Sequence, residues 1–185
     1  MTGKIAFYGG SFDPIHLGHQ SAILRGLEIS GADYMLVAPV YAHPYGKTLA
    51  PFEQRMAMAN IALWAFNRSR VQLSNIEQQA FAAGGRGFTV NTVKLLQTQH
   101  AGKHIVIVVG DDTNVDVWEG RDELIKMVDE KQISILTLDR PAPDDILNGG
   151  ISSTEVRYLV KQSGKTTGLI SADIRRYINE KGLYK

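Results

Sequence analysis

His16 and His19 stand three residues apart with Gly18 between them, closing the string Gly9-Gly10-Ser11-Phe12-Asp13-Pro14-Ile15-His16-Leu17-Gly18-His19. The string follows an apolar run and opens a helical one. At the entrance of a helix, residues three apart project to the same side. Two imidazoles placed so can donate hydrogen bonds to a polyphosphate or bind a metal ion, and Gly18 leaves room for a ligand. The glycine pair lets the backbone approach a phosphate closely. The helix start adds N–H groups and the positive end of its dipole. No third protein ligand stands nearby, so no metal ligand is assigned. The residue types leave a plainer alternative open, a glycine-rich turn carrying two surface histidines.

A second anion-directed string lies late in the chain, Ile151-Ser152-Ser153-Thr154-Glu155-Val156-Arg157. A serine-rich helix start with an arginine one turn later combines hydroxyls, N–H groups and a guanidinium. Ser152 and Glu155 also have the spacing of a capping box, a local role that can hold as well. Other strings carry less. Gly164-Lys165-Thr166-Thr167 is similar to the end of a phosphate-binding P-loop, but Leu159 stands where the earlier glycine is required. An exposed loop between helices is expected there. Among Asp111, Asp112 and Asp116, only Asp112 is expected to face a ligand. His100, His104 and Arg175-Arg176 read as surface residues, and Met56 and Met58 as helix packing.

Strand and helix periods alternate around these strings. Residues 5–8 read as a buried strand ended by Gly9-Gly10, and 17–29 as a helix broken by Gly31. Residues 34–38 form the next strand, stopped by Pro39. Phe52, Met56, Ala59, Leu63 and Phe66 then follow at spacings of four, three, four and three, one face of a long helix. A strand at 71–73, a break at Gly84-Gly85-Arg86-Gly87 and a helix at 89–99 come next, then a central strand at 105–109. A short helix at 122–128 leads into a strand at 133–138, ended by Pro141 and Pro143. Asn148-Gly149-Gly150 marks a tight loop. Helices at 153–162 and 172–180 close the chain, the second with Ile174, Tyr177 and Ile178 inward. The alternation predicts an α/β fold: a Rossmann-like parallel sheet with helices on both faces, plus C-terminal helices, as one domain over 1–185. In such sheets ligands bind beyond the carboxyl ends of the strands.

Composition narrows the function. Of 185 residues, 44% are hydrophobic and 21% charged, the balance of a soluble globular chain. Twenty Lys and Arg against 19 Asp and Glu leave a net charge of +1, so no broad field draws nucleic acid. An anionic ligand must therefore be held locally. The absence of cysteine excludes disulfides, thiol nucleophiles, cysteine-ligated zinc and iron–sulfur clusters. No apolar signal region opens the chain, and the longest aliphatic run, 105–109, is too short to span a membrane. A cytoplasmic location without a membrane partner is expected. A homo-oligomer stays open.

The first string resembles the His-x-Gly-His signature of a nucleotidyltransferase superfamily. It includes the adenylyltransferases of NAD and coenzyme A synthesis and, more distantly, class I aminoacyl-tRNA synthetases; 151–157 matches its second element. Glu53-Gln54-Arg55-Met56-Ala57-Met58, Phe88-Thr89-Val90-Asn91-Thr92, Val109-Gly110-Asp111-Asp112 with Trp118, and the ending Tyr177-Ile178-Asn179-Glu180-Lys181-Gly182-Leu183-Tyr184-Lys185 are similar to the nicotinate mononucleotide adenylyltransferase branch. The resemblance runs in order from residue 4 to residue 185. It implies transfer of AMP from ATP to nicotinate mononucleotide, with Mg²⁺ carried by ATP. It further implies that Gly9, Gly10, Ser11 and Phe12 cradle phosphate and that His16 and His19 contact the ATP phosphates. Ile151, Ser152, Ser153 and Arg157 would hold the β- and γ-phosphates, and Gly110 and Asp112 the adenosine. Lys47, Thr89 and Trp118 would meet the pyridine mononucleotide, although a tryptophan before a helix also serves as a core anchor. The branch usually carries Pro-Pro-His-Lys after its second strand, whereas here the loop reads Tyr41-Ala42-His43-Pro44-Tyr45-Gly46-Lys47. Nicotinamide mononucleotide as acceptor stays open for that reason. Phosphopantetheine stays open because its branch shares the Gly-Ser-Phe-Asp-Pro start and a serine-rich late string, with Trp118 and the Gly-Leu-Tyr-Lys ending against it; a non-catalytic ATP sensor is the alternative of another class.

Overall fold

The structure, a computed structural model, describes residues 3–43, 45–139 and 150–185. The five strand runs pair into one parallel sheet in the order β3-β2-β1-β4-β5. They are β1 (Lys4–Gly10), β2 (Tyr34–Pro39), β3 (Val71–Leu73), β4 (His104–Gly110) and β5 (Ile133–Leu138). Strand β1 pairs with β2 from Ile5↔Tyr34 to Gly10↔Pro39, and with β4 from Lys4↔His104 to Phe7↔Ile107. Strands β1 and β4 are apolar nearly throughout because both faces are covered. Ala6 and Val108 point into one core with Ile23, Met35, Met58, Val156, Ile174 and Ile178. Ile5, Phe7, Ile105 and Ile107 point into the other with Ile76, Val93, Leu96 and Leu124.

The first core carries α1 (Leu17–Ser30), α2 (Phe52–Ala62), α6 (Ser153–Lys161) and α7 (Ala172–Lys181). The second carries α3 (Ile76–Ala82), α4 (Thr89–Gln99) and α5 (Arg121–Asp129). The strand order reverses between β1 and β4. Chains leaving those two carboxyl ends diverge to opposite faces and open a crevice.

Three expectations need correction. The helix from Phe52 ends at Ala62 and tightens into a 3₁₀ turn over Leu63–Ala65. Its buried stripe is Arg55, Met58, Ala59 and Ala62, while Phe52 and Met56 are only half-buried. The stripe is rotated because Arg55 points inward to bond two loops. Helix α3 was not expected, being only seven residues long with Ile76, Glu77 and Ala80 buried, too short to show a period. The middle strand is β1, with β4 interior beside it. Pro44, Pro141, Pro143, Asn148 and Gly149 lie outside the described residues. Among the described residues no helix is long and apolar enough to cross a membrane.

Candidate active site

A cavity of about 620 Å³ opens over the carboxyl ends of β1, β2, β4 and β5. Gly9, Gly10, Ser11, Phe12, His16, His19, Lys47, Thr89, Gly110, Asp112, Trp118, Ile151, Ser152 and Ser153 all line it. Arg157 does not. Asp116 is paired with Arg121 at 2.9 Å, and the Gly164-Lys165 loop joins α6 to α7 away from the cavity.

One half of the cavity is made of helix starts. His16 is the N-cap of α1, and its Nδ1 accepts the His19 N–H at 3.4 Å. The His16 N–H in turn donates to His19 Nδ1 at 3.1 Å. This is a capping box built from two imidazoles. Their rings stack at 3.6 Å between centroids. Because each Nδ1 accepts a backbone N–H, the neutral tautomer carries its proton on Nε2, so both rings are donors there. A side-chain carbon on Gly18 would lie 3.1 Å from the His16 ring and 3.8 Å from Ile151 Cβ, which is why that position is bare. Phe12 is buried with φ of 45° and sets its ring edge-on to His19 at 5.0 Å.

The start of α6 meets this turn. Ser152 caps it, its Oγ accepting the Glu155 N–H at 3.1 Å. Ser153 Oγ donates to the Pro14 carbonyl at 2.9 Å, and Arg157 donates to the Asp13 carbonyl at 2.7 Å and to Thr154 Oγ1 at 3.0 Å. Two helix N-termini thus face one space, a natural place for an anion. Farther along α1, Arg25 also lines the cavity, held by the Asp139 carbonyl at 2.7 Å.

The other half is assembled from distant segments. Lys47, His43 and Tyr45 come from the loop after β2, and the Tyr45 hydroxyl donates to the Val117 carbonyl at 3.0 Å. Burial pushes the His43 imidazole down, and the Lys47 charge adds to that. Trp118 is half-buried, packing on the second core while also lining the cavity. Thr89 is the first residue of α4. Glu77 on α3 lines the same half at 5% exposure. Burial pushes its carboxyl up to about 7, with the Thr92 hydroxyl offsetting part of the rise.

A buried frame joins the halves. Arg55, 1% exposed, donates to the carbonyls of Ser11 at 2.9 Å, Ala50 at 2.9 Å and Tyr41 at 3.4 Å. Burial lowers its pKa while Asp13 and Tyr184 raise it. Asp13 Oδ1 accepts the Tyr184 hydroxyl at 2.7 Å and the Ala50 N–H at 3.2 Å. Burial, then the neighbouring Asp13 carboxylate, holds the Tyr184 hydroxyl protonated. Sequence reasoning missed Glu77, Arg25, Tyr45 and this frame as parts of the site. The available signals were that Asp13, Arg55, Tyr45 and Tyr184 all fall inside strings or a loop singled out for the resemblance, and that Arg55 is a charged residue beside apolar positions of a helix. Among the described residues no group of three or more His, Asp or Glu is placed to share a metal ion.

Comparison with known proteins agrees with this architecture. The cytidylyltransferase-like family model matches residues 7–159. A protein of Anaeromyxobacter dehalogenans strain 2CP-1, named "Probable nicotinate-nucleotide adenylyltransferase", is 31% identical over 100% of both chains. One of Myxococcus xanthus with the same name is 32% identical over 98% of this chain and 94% of that one. The solved structure of Plasmodium falciparum nicotinic acid mononucleotide adenylyltransferase complexed with NaAD shares the fold. Its TM-score is 0.79 at 19% identity, over 98% of this chain and 97% of that one. On this combined ground the chain belongs to the cytidylyltransferase-like family and, within it, to the nicotinate-nucleotide adenylyltransferases.

Proposed function

We propose that the protein transfers the AMP of Mg·ATP to nicotinate mononucleotide, releasing pyrophosphate and forming nicotinate adenine dinucleotide. The observation that carries this reading is the convergence of two helix N-termini and a donor pair of histidines on a cavity whose far half is aromatic and has its own cation. An oxygen of the acceptor's 5′-phosphate attacks the α-phosphorus in line. The bond from that phosphorus to the bridging oxygen breaks, and the electron pair leaves with pyrophosphate. The nucleophile is already an anion, so no base is needed. What resists is repulsion between phosphates and the cost of aligning them. Alignment alone supplies about 7–11 kcal/mol.

The assignments follow the halves. The backbone of Gly9, Gly10, Ser11 and Phe12 cradles phosphate. His16 and His19 donate from Nε2 to charge developing on the leaving group. Ile151, Ser152 and Ser153 hold the β- and γ-phosphates at the start of α6. Arg157, bonded to the Asp13 carbonyl, positions that helix against the first turn. Gly110 and Asp112 take the adenosine. Trp118 stacks on the pyridine, with Thr89 and Lys47 beside it. The magnesium ion neutralises triphosphate charge and is held mainly by the phosphates, as such ions commonly are.

The test is pyrophosphate release from Mg·ATP with nicotinate mononucleotide, nicotinamide mononucleotide and phosphopantetheine as competing acceptors. Preference for a pyridine mononucleotide supports the reading. Preference for phosphopantetheine, or ATP binding without turnover, overturns it.

A further inference from the structure

We infer that Glu77 is a specificity-determining residue of the acceptor half, where its side chain meets the ring substituent of the pyridine mononucleotide. This rests on the proposed reaction and names what selects its acceptor.

The placement is unusual for a carboxyl. Glu77 is 5% exposed, yet it lines the ligand cavity with Gly87, Phe88, Thr89 and Trp118. Its neighbour Ile76 turns into the core. Among the ion pairs of the described residues none includes Glu77. Lys94, the cation of the helix packed on α3, is bonded to Glu123 at 2.8 Å. A buried carboxylate without a cation is costly, so the group favours its neutral form. The other acidic or basic side chains that line the cavity are His43 and Lys47 from the loop after β2, Asp112 and Glu119 from the segment after β4, and, with the helix starts, His16, His19, Arg25 and Asp139. Neither β2 nor α3 itself brings another charge to face it. With burial pushing the carboxyl up to about 7, both forms are populated near neutrality.

The two forms select different acceptors. A protonated Glu77 donates a short, charge-assisted hydrogen bond to the nicotinate carboxylate. An ionised Glu77 repels that carboxylate and instead accepts from the NH₂ of a nicotinamide. Acid preference should therefore be highest below the carboxyl's pKa and fall as pH rises through it. The 5′-phosphate titrates alike in both acceptors, so it cancels in their ratio.

The experiment is the ratio of kcat/KM for nicotinate over nicotinamide mononucleotide, by competition, from about pH 6 to about pH 8.5. In the wild type this ratio should fall about tenfold or more. Glu77→Gln, whose amide donates and accepts alike at every pH, should remove the fall and leave the ratio flat. Glu77→Leu should cut the acid preference at pH 6 by about 10- to 100-fold. ATP affinity, read separately, shows that each variant is folded. Equal pH profiles in the wild type and Glu77→Gln overturn the inference while leaving the proposed reaction intact. No turnover with either acceptor in the wild type overturns both.

Discussion

The two halves of the cavity are built in opposite ways. The histidine half is made of short contiguous strings, with His16 and His19 capping one another and Ser152 capping α6. The half proposed to take the acceptor is made of single residues from α3, α4, the loop after β2 and the turn after β4. The first is preorganised by backbone geometry. The second depends on how separate elements pack. That contrast assigns rate mainly to one half and selectivity mainly to the other, and it can be broken by substitution.

The largest effect belongs to His19→Ala. Removing one preorganised donor to developing charge costs about 10²–10³ in kcat. Acceptor KM should stay within about twofold, because His19 lies in the other half. Initial rates of pyrophosphate release at varied acceptor decide this. A loss confined to KM in a folded variant would falsify the division of labour.

Next comes Arg55→Met, which cuts the frame between the halves. Three partly buried carbonyls, of Ser11, Ala50 and Tyr41, lose their donor, and Asp13 loses a nearby positive charge. An unsatisfied buried group costs about 1–3 kcal/mol, so a stability loss of about 3 kcal/mol is expected. Urea unfolding measures it. If the frame truly links the halves, kcat and acceptor KM worsen together, unlike in His19→Ala. A variant as stable as the wild type would show that the bonds to Arg55 contribute nothing net.

The same contrast explains what could be read in advance. His16, His19, Ser152 and Ser153 were legible because strand–helix junctions and caps are local, and spacing alone puts those side chains on one side. The sheet was legible from apolar runs buried on both faces. Glu77 was not, since a seven-residue helix shows no period and a lone carboxyl in it looks solvated. Arg55 was hidden in a helix whose apolar spacing suggested a different face. Asp13 and Tyr184 meet across 171 positions, and Asp13 and Arg157 across 144, distances over which no pattern carries information. Arg157 was expected at the phosphates from its place after the serines. It is bonded to the Asp13 carbonyl, next to the turn that carries the histidines, and is not among the residues that line the cavity.

Trp118→Ala probes the acceptor half directly. An aromatic contact of this kind contributes about 0.5–1.5 kcal/mol beyond area burial. Acceptor KM should rise about tenfold with the affinity for ATP unchanged. Because Trp118 also packs on the second core, a small loss of stability should accompany it. Trp118→Phe separates the two roles by keeping a stacking face. If the phenylalanine variant recovers stability but not KM, the indole itself is what the acceptor requires.

The smallest effect is Tyr45→Phe. The Tyr45 side chain is exposed, and its one described bond ties the loop after β2 to the Val117 carbonyl at 3.0 Å. A neutral hydrogen bond in contact with water is worth about 0.5–1 kcal/mol, so acceptor KM should rise about two- to fivefold and melting should barely move. The value of this variant lies in its direction. Loss of the tie leaves Lys47 and His43 less fixed but touches nothing at α1 or α6. An unchanged ATP affinity with a raised acceptor KM would place the loop wholly in the selective half. A fall in kcat of the size expected for His19→Ala would mean that the halves are coupled through this loop as well as through Arg55.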